Sequence, residues 1–260
     1  KKEVDIIKTI KFRFYGKLNN FIDLENNEKL SLFKDHYIHY YKGRQSIKDR
    51  IESIGIPHPE VAMLLKDGKA INFSYIVKEN DFFSVYPHFY NFKIPVELKL
   101  REDYEGKPSF ILDAHLGKLA KYLRRFSFDT AYRNDYDDEE IVEIANKEKR
   151  IILSRDHGLL KRKEVKWAMF INYDSPREQL KEVFSRYNLF KYYDGENTRC
   201  VNCNHELVKV KKSEIINRLE PKTKKYFNDF KLCPNCNKIY WEGSHYLKTE
   251  KFVKKINNNN

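Results

Sequence analysis

Residues 110–130 read FILDAHLGKLAKYLRRFSFDT and contain a short apolar run, an acid directly after it and an amphipathic basic segment. The run Phe110–Leu112 is typical of a buried strand, and Asp113 follows it directly. Apolar residues then recur at helical spacing, at Leu116, Leu119, Ala120, Leu123 and Phe126. A second strand is predicted at Phe128–Tyr132. An acid at the end of a strand is typical of ligand sites in open α/β sheets, and capping of the helix is the alternative role for Asp113.

The composition indicates a globular chain with room for more than one domain. Of its 260 residues, 41% are hydrophobic and 15% aromatic, which excludes a disordered chain. No apolar run approaches the roughly 20 residues of a membrane span. Because the first residues lack the apolar region of a signal peptide, we expect a cytoplasmic protein with no membrane partner.

The net charge of +12 favours a polyanionic partner, with nucleic acid as the first candidate. Residues 197–260 hold 14 basic and 6 acidic residues, so +8 of the +12 lies in the last quarter of the chain. This concentration favours a binding surface over the alternative, a uniformly lysine-rich composition.

Residues 8–90 show the element order of a β-grasp, ubiquitin-like domain. Strands are predicted at Thr9–Tyr15, Tyr37–Tyr41 and Asp81–Pro87, with a helix from Ser46 to Gly55. Between the helix and the last strand, Met63–Lys66 and the turn Asp67–Gly68 lead to a further strand at Ile71–Phe73. The segments YGKLNNF and DGK resemble small sulfur carriers, but those proteins end in Gly-Gly, and here the last strand runs into YPHF. We therefore reject a sulfur-carrier role and expect a module that binds a protein partner or regulates, with a passive structural appendage as the alternative.

Residues 91–108 are predicted to be a linker, and residues 109–190 alternate strands and helices. After the opening strand, helix and strand come a helix at Asp137–Glu148, strands at Arg150–Ser154 and Trp167–Asn172, and a last helix opened by the capping box Ser175–Glu178. The pattern predicts an α/β domain with a mainly parallel sheet and helices on both faces.

Three acidic segments follow strands of this predicted sheet. Asp113 ends the first strand, the cluster at 137–140 opens a helix, and Asp156 follows the strand at 150–154. Because strand ends and helix starts meet at one edge of such a sheet, we expect these acids to converge. Within the cluster, Asp138 lies on the inward stripe and is our choice, with Glu139 as the alternative.

Converging carboxylates repel one another unless a cation compensates their charge, and oxygen ligands suit Mg²⁺ or Mn²⁺. Such an ion orients a water for attack on a phosphodiester. Four basic residues are candidates for holding the flanking phosphates of RNA: Lys118, Lys121, Arg125 and Arg155. For each acid taken alone, a cap, a surface charge or an ion pair is the alternative role.

The four cysteines form two C-x-x-C pairs, Cys200 with Cys203 and Cys233 with Cys236. Two matched pairs predict a four-thiolate structural Zn²⁺ site of the ribbon type within residues 197–250, and a redox function is the alternative. A helix is predicted between the pairs, at Ser213–Phe227. The lysines around it, Lys209, Lys211, Lys212, Lys222, Lys224 and Lys225, form either a backbone-binding surface or a solvated face. Four side chains are candidates for stacking on bases or for filling a small core: Tyr240, Trp241, His245 and Tyr246.

Residues 109–247 resemble the PIN-like RNase family named for the C-terminal region of the Mut-seven exonuclease. The resemblance is carried by FILDAHLGKLAKYLRRFSFDT, NDYDDEEIVEIA, RIILSRDHGLL and YWEGSHY. It implies metal-dependent RNA cleavage with acids at Asp113, the 137–140 cluster and Asp156, and a fourth acid for which Asp174 is the candidate. Members often carry an N-terminal ubiquitin-like domain, as expected here at 8–90.

The sequence therefore predicts a metal-dependent ribonuclease whose zinc ribbon assists RNA binding. The alternative is a non-catalytic RNA-binding or adaptor protein that keeps the fold. The polar end, residues 251–260, is predicted to be a disordered tail.

Overall fold

The computed structural model describes residues 7–89, 92–193, 195–196 and 198–241. The chain divides into two compact units. The first combines Lys1–Glu105 with Ser154–Phe170, and the second combines Gly106–Leu153 with Ile171–Asn260. The predicted tail and the candidate stacking residues His245 and Tyr246 lie outside the described residues.

The first unit is built on a six-stranded sheet in the order β2-β3-β1-β6-β4-β5. Its elements are β1 Lys8–Phe14, β2 Leu30–Phe33, β3 His36–Tyr41, α1 Ile47–Ile54, β4 Val61–Lys66, β5 Lys69–Ala70 and β6 Phe82–Pro87. The central strands β1 and β6 are parallel, whereas β3 and β4 pair with them antiparallel. The strand expected at Ile71–Phe73 is instead the short β5 followed by a turn, in which the Asn72 side chain accepts a hydrogen bond from the Ser74 backbone.

The core of this unit follows from two periodicities. Alternate residues of β1 are buried, and α1 turns Ile47, Ile51 and Ile54 to the same core. A capping box between Ser46 and Asp49 begins the helix. Gly55 ends it at φ 122°, where an added Cβ would lie 2.7 Å from the carbonyl oxygen of Phe21.

The segment Ser154–Phe170 packs with residues 1–105 as part of the first unit. It contains α4 His157–Lys161 and β10 Ala168–Phe170. The His157 ring packs against Phe21 and Phe170, with centroid separations of 5.6 and 4.5 Å, and its Nδ1 lies 3.2 Å from the carbonyl oxygen of Gly55. The fully buried Glu60 accepts a hydrogen bond of 2.8 Å from the Phe170 backbone N–H. The sequence pattern assigns this segment to the nuclease domain, and its packing with the β-grasp residues was not foreseen.

The second unit contains a parallel sheet in which β7 lies between β8 and β9. Its elements are β7 Phe110–Leu112, α2 Gly117–Arg125, β8 Thr130–Ala131, α3 Asp138–Lys147, β9 Ile151–Ser154 and α5 Pro176–Tyr187. Helix α3 packs against β7, and α2 packs against β8 and α5. Every residue of β7 and β9 is buried, as expected for parallel strands covered by helices.

The cysteine-bearing part of the second unit is a three-stranded antiparallel sheet in the order β11-β12-β13. Its elements are β11 Val208–Val210, α6 Lys212–Ile215, α7 Pro221–Tyr226, β12 Phe230–Leu232 and β13 Ile239–Tyr240. The prediction of one helix at Ser213–Phe227 is wrong, because the chain forms two short helices there. Pro221 favours the first position of a helix and holds the preceding Glu220 in an extended conformation, which interrupts a continuous helix.

None of the described helices combines the length and apolar character that crossing a bilayer requires.

Candidate active site and cysteine cluster

Asp113 lies directly after β7, the central strand of the parallel sheet. Its side chain is 8% exposed, and its Oδ1 accepts a hydrogen bond of 3.0 Å from the His115 backbone N–H. The Asp113 backbone N–H donates to the carbonyl oxygen of Leu153 in β9, at 3.3 Å. Asp113 therefore does cap the short 3₁₀ turn Ala114–Leu116 before α2, and it does so as a nearly buried carboxylate.

Tyr132 fixes the backbone that carries Asp113. It follows β8, and its hydroxyl donates a hydrogen bond of 2.8 Å to the carbonyl oxygen of Ala114. A Cβ added to Gly117 would lie 2.6 Å from the same hydroxyl oxygen, so the close approach requires glycine. The sequence pattern did not predict this contact, although a glycine at the start of a predicted helix was a visible signal.

The acidic cluster begins α3 as predicted. Asp137 is the N-cap and forms a capping box with Glu140, through hydrogen bonds of 2.8 and 3.2 Å. Asp138 is the first residue of the helix and half-buried, whereas Glu139 is exposed. Asp138 is thus less exposed than Glu139, which is the order that its position on the inward stripe of the helix predicts.

Asp156 is the exposed N-cap of α4. Its Oδ1 accepts hydrogen bonds from the backbone N–H groups of Gly158 and Leu159, at 2.6 and 3.4 Å. The chain reaches Asp156 two residues after the end of β9, on the segment that packs with the first unit. The candidate fourth acid, Asp174, is also exposed.

The sheet topology provides the common edge that the acids were expected to share. Because β7, β8 and β9 are parallel, their carboxyl ends lie at one edge, and each is followed in the chain by one of the three acidic segments. In the described part of the chain, however, the side chains close enough together to hold a metal ion are those of the four cysteines, and the three acids do not form such a group. A shared ion at Asp113, Asp138 and Asp156 stays a prediction.

The four basic candidates present their charge outward to different degrees. Lys118 and Lys121 on α2 are exposed, as is Arg155, and Arg125 is half-buried. The apolar and basic faces of α2 are therefore those that its sequence spacing predicts.

The four cysteines meet in one cluster. Their Sγ atoms all lie within 4.8 Å of one another, with 3.5 Å between Cys200 and Cys236 and 3.4 Å between Cys203 and Cys233. A tetrahedral zinc with Zn–S bonds of about 2.3 Å separates neighbouring sulfurs by about 3.8 Å, so this donor set fits Zn²⁺. All four cysteines are free thiols and could bind a structural zinc.

The thiol pKa values differ within the cluster. Burial raises the pKa of Cys236 to about 12, and the neighbouring cysteines add to the increase. For Cys203, burial acts in the same direction, but hydrogen bonds from the His205 backbone and the Asn235 side chain outweigh it and lower the pKa to about 5. One thiolate is therefore available at neutral pH to begin metal binding.

The first C-x-x-C turn is bound to the parallel-sheet domain through Arg124 of α2. The Arg124 guanidinium is 4% exposed and donates to the carbonyl oxygens of Thr130, Val201 and Asn202, at 2.9, 3.2 and 2.8 Å. Asn204 accepts a hydrogen bond of 3.0 Å from the Thr130 backbone N–H. Burial lowers the pKa of Arg124. The sequence pattern did not predict this role, because helical spacing does not reveal which arginine is buried.

Two family models match the chain. One, described as Mut7-C RNAse domain, matches residues 108–253, and the other, described as Mut7-C ubiquitin, matches residues 7–93. No curated protein and no solved structure matches.

Proposed function

Because the chain belongs to the Mut7-C RNAse domain family, we propose that it is a metal-dependent ribonuclease with a PIN-like fold that hydrolyses RNA phosphodiester bonds. The family match supports a ribonuclease-type hydrolase. The observation that carries the assignment of the site is a nearly buried carboxylate, Asp113, at the carboxyl end of the central parallel strand. Buried carboxylates are held by hydrogen bonds or by opposite charges, and a bound metal ion is one such charge.

In this proposal Asp113, Asp138 and Asp156 bind the catalytic Mg²⁺ or Mn²⁺, with Glu139 and Asp174 as further candidates. The carboxylate oxygens fit such an ion chemically, and Mg²⁺ commonly binds one or two carboxylates together with waters and substrate phosphates. The proposal therefore does not require all three carboxylates to lie close together before the ion and RNA bind. The ion, when bound, activates a water and stabilises charge on the phosphoryl oxygens.

The protein's own residues have separate tasks. Tyr132 and the β7–β9 hydrogen bond hold the backbone of Asp113, so that its carboxylate does not need reordering when RNA binds. Lys118, Lys121, Arg125 and Arg155 attract and hold the RNA backbone. The cysteine cluster, as a zinc ribbon, stabilises the fold and extends the RNA-binding surface.

We further propose that the ubiquitin-like domain binds a protein partner. Strand β2 is at one edge of its sheet, and Leu32 and Phe33 on that strand are 53% and 52% exposed. Exposed edge strands are common sites of strand addition by partner segments.

The test of the nuclease assignment is cleavage of single-stranded and structured RNA with Mg²⁺ or Mn²⁺. We expect Asp113→Asn and Asp156→Asn to lower the cleavage rate by about 100-fold or more. Each substitution removes the negative charge of a proposed metal ligand and keeps the size of the side chain. Asp135→Asn is the matched control, because Asp135 is exposed and pairs with Arg133. Equal rates in the wild type and all three variants would reject catalysis at this site.

The second candidate is a non-catalytic RNA-binding or adaptor protein. It is favoured by one observation, that the three acids do not form a ready metal-binding group in the described part of the chain. RNA binding without cleavage at any Mg²⁺ or Mn²⁺ concentration would support it.

A further inference from the structure

One face of the three-stranded sheet carries a row of side chains that the strand register aligns. Lys209 of β11 pairs with Lys231 of β12, and Lys231 pairs with Tyr240 of β13. Directly paired residues of antiparallel strands point to the same face of the sheet. Two lysines and one tyrosine therefore lie side by side across all three strands.

This row is part of a groove of about 570 Å³. The groove is lined by aromatic and basic residues: Lys209, Lys211, Lys231, Phe230, Tyr240 and Trp241. We call it the sheet groove. The acidic residues Glu196 and Asp229 also line it.

The lysine pair in the groove is unfavourable in isolation. Like charges directly opposite each other on neighbouring strands destabilise a sheet. Lys231 has a counter-charge in Glu196, with 3.2 Å between Nζ and Oε2. Lys209 and Lys211 are exposed, and a bound anion would offset the repulsion between the lysines.

Trp241 supplies exposed apolar surface in the same groove as these charges. The Trp241 ring has centroid separations of 6.4 Å from both Phe227 and Phe230, yet the residue is 42% exposed. The Tyr240 hydroxyl lies 3.0 Å from the Cys200 Sγ, which fixes its ring relative to the cysteine cluster. An exposed indole that lines one groove with lysines suits a base and its phosphate.

We propose that the sheet groove binds a nucleotide of single-stranded RNA, with its phosphate on Lys209 and Lys211 and its base stacked on Trp241. The inference rests on the proposed function in that it takes RNA as the ligand. It goes further by placing a nucleotide subsite on the cysteine-bearing sheet, separate in sequence from the three acids.

The first test uses the fluorescence of Trp241. The sequence has two tryptophans, so Trp167→Phe leaves Trp241 as the sole reporter, and Asp113→Asn prevents cleavage. We expect a uridine pentanucleotide to quench this emission saturably in the full chain. Inorganic polyphosphate, which has charge but no base, should leave the emission nearly unchanged. An emission that does not respond to the pentanucleotide would overturn the proposal.

The second test asks whether binding depends on the groove or on positive charge in general. We expect Lys209→Ala/Lys211→Ala to weaken pentanucleotide binding at least about 10-fold. The slope of log affinity against log salt should fall in magnitude by about 1.4, since each single-strand phosphate contact contributes about 0.7. The matched control is Lys222→Ala/Lys225→Ala on α7, which removes the same charge from exposed positions outside the groove lining. Equal losses in both double variants would reject the groove.

These tests separate the subsite from the nuclease assignment. If Asp113→Asn abolishes cleavage while the Lys209/Lys211 variant binds RNA normally, the groove inference alone is wrong. If the pentanucleotide binds at Trp241 but neither the wild type nor any variant cleaves RNA, the nuclease proposal is wrong and the groove stands.

Discussion

Gly117 has no Cβ, and this lets Tyr132 pack closely enough to hold the backbone beside Asp113. The position is helical, so its conformation does not require glycine. The requirement comes from Tyr132, whose hydroxyl oxygen and adjacent ring carbon would lie 2.6 and 2.8 Å from an added Cβ. Because the Tyr132 hydroxyl also bonds to Ala114, the ring cannot move away without losing that bond.

We therefore expect Gly117→Ala to destabilise the protein by about 1–3 kcal/mol, despite the better helix propensity of alanine. The measurement is the free energy of unfolding from urea titration. Lys118→Ala is the matched control, because it places an alanine one residue later at an exposed position. A Gly117→Ala variant as stable as this control would show that Tyr132 does not hold its position.

Arg124 is a second residue whose role depends on its surroundings. Its neighbour Arg125 is half-buried, whereas Arg124 is almost fully buried and bonded to three backbone carbonyls. Hydrogen bonds from a charged donor to backbone carbonyls contribute more than those from a neutral donor. The residue thus joins α2 to the first C-x-x-C turn.

At the scale of elements, α4 and β10 are held by residues of the β-grasp fold. The aromatic group of Phe21, His157 and Phe170 and the buried carboxylate of Glu60 make these contacts. Since Asp156 is the N-cap of α4, these contacts of the first unit help to hold one proposed metal ligand in place. This observation argues against a purely passive role for the ubiquitin-like domain.

We expect Phe21→Ala to cost about 3–5 kcal/mol of stability and to speed amide hydrogen exchange in residues 155–160. The deletion removes a ring that is 9% exposed and packs on His157. Phe33→Ala on β2 is the matched control, because Phe33 is 52% exposed. If exchange in residues 155–160 is the same in both variants, the first unit does not stabilise this segment.

At the scale of the whole molecule, the cysteine cluster connects segments distant in sequence. A bound zinc would join residues 200–203 to residues 233–236, and the first of these turns is already bonded to Arg124. Metal binding would therefore stabilise the sheet groove together with the adjoining part of the parallel-sheet domain.

We expect the apparent zinc affinity to rise by at least roughly 100-fold per pH unit between pH 6 and 8. Burial raises the pKa of Cys233 and, with the neighbouring thiols, that of Cys236 to about 12, so both lose a proton when zinc binds. Cys203, with a pKa of about 5, is already a thiolate in this range. Competition with a chromophoric chelator measures the affinity, and a pH-independent affinity would contradict thiolate ligation.

Patterns local in the chain predicted a large part of this molecule. Alternating and helical spacing identified the strand before Asp113, the helix α2 and the central strands of the β-grasp sheet. The helix that begins at the acidic cluster and the paired cysteines also depend on residues close in sequence, and they appear as expected, whereas Ser175 begins α5 without a side-chain cap hydrogen bond. These features could be read from the sequence because short-range sterics and hydrogen bonding determine them.

Tertiary structure alone decided the remaining features. The packing of residues 154–170 with the β-grasp core, the burial of Arg124 and the row formed by Lys209, Lys231 and Tyr240 all join residues far apart in the chain. Their positions depend on strand register and on which surfaces meet. A shift of one residue in register would move each side chain to the opposite face, and no local spacing specifies that choice.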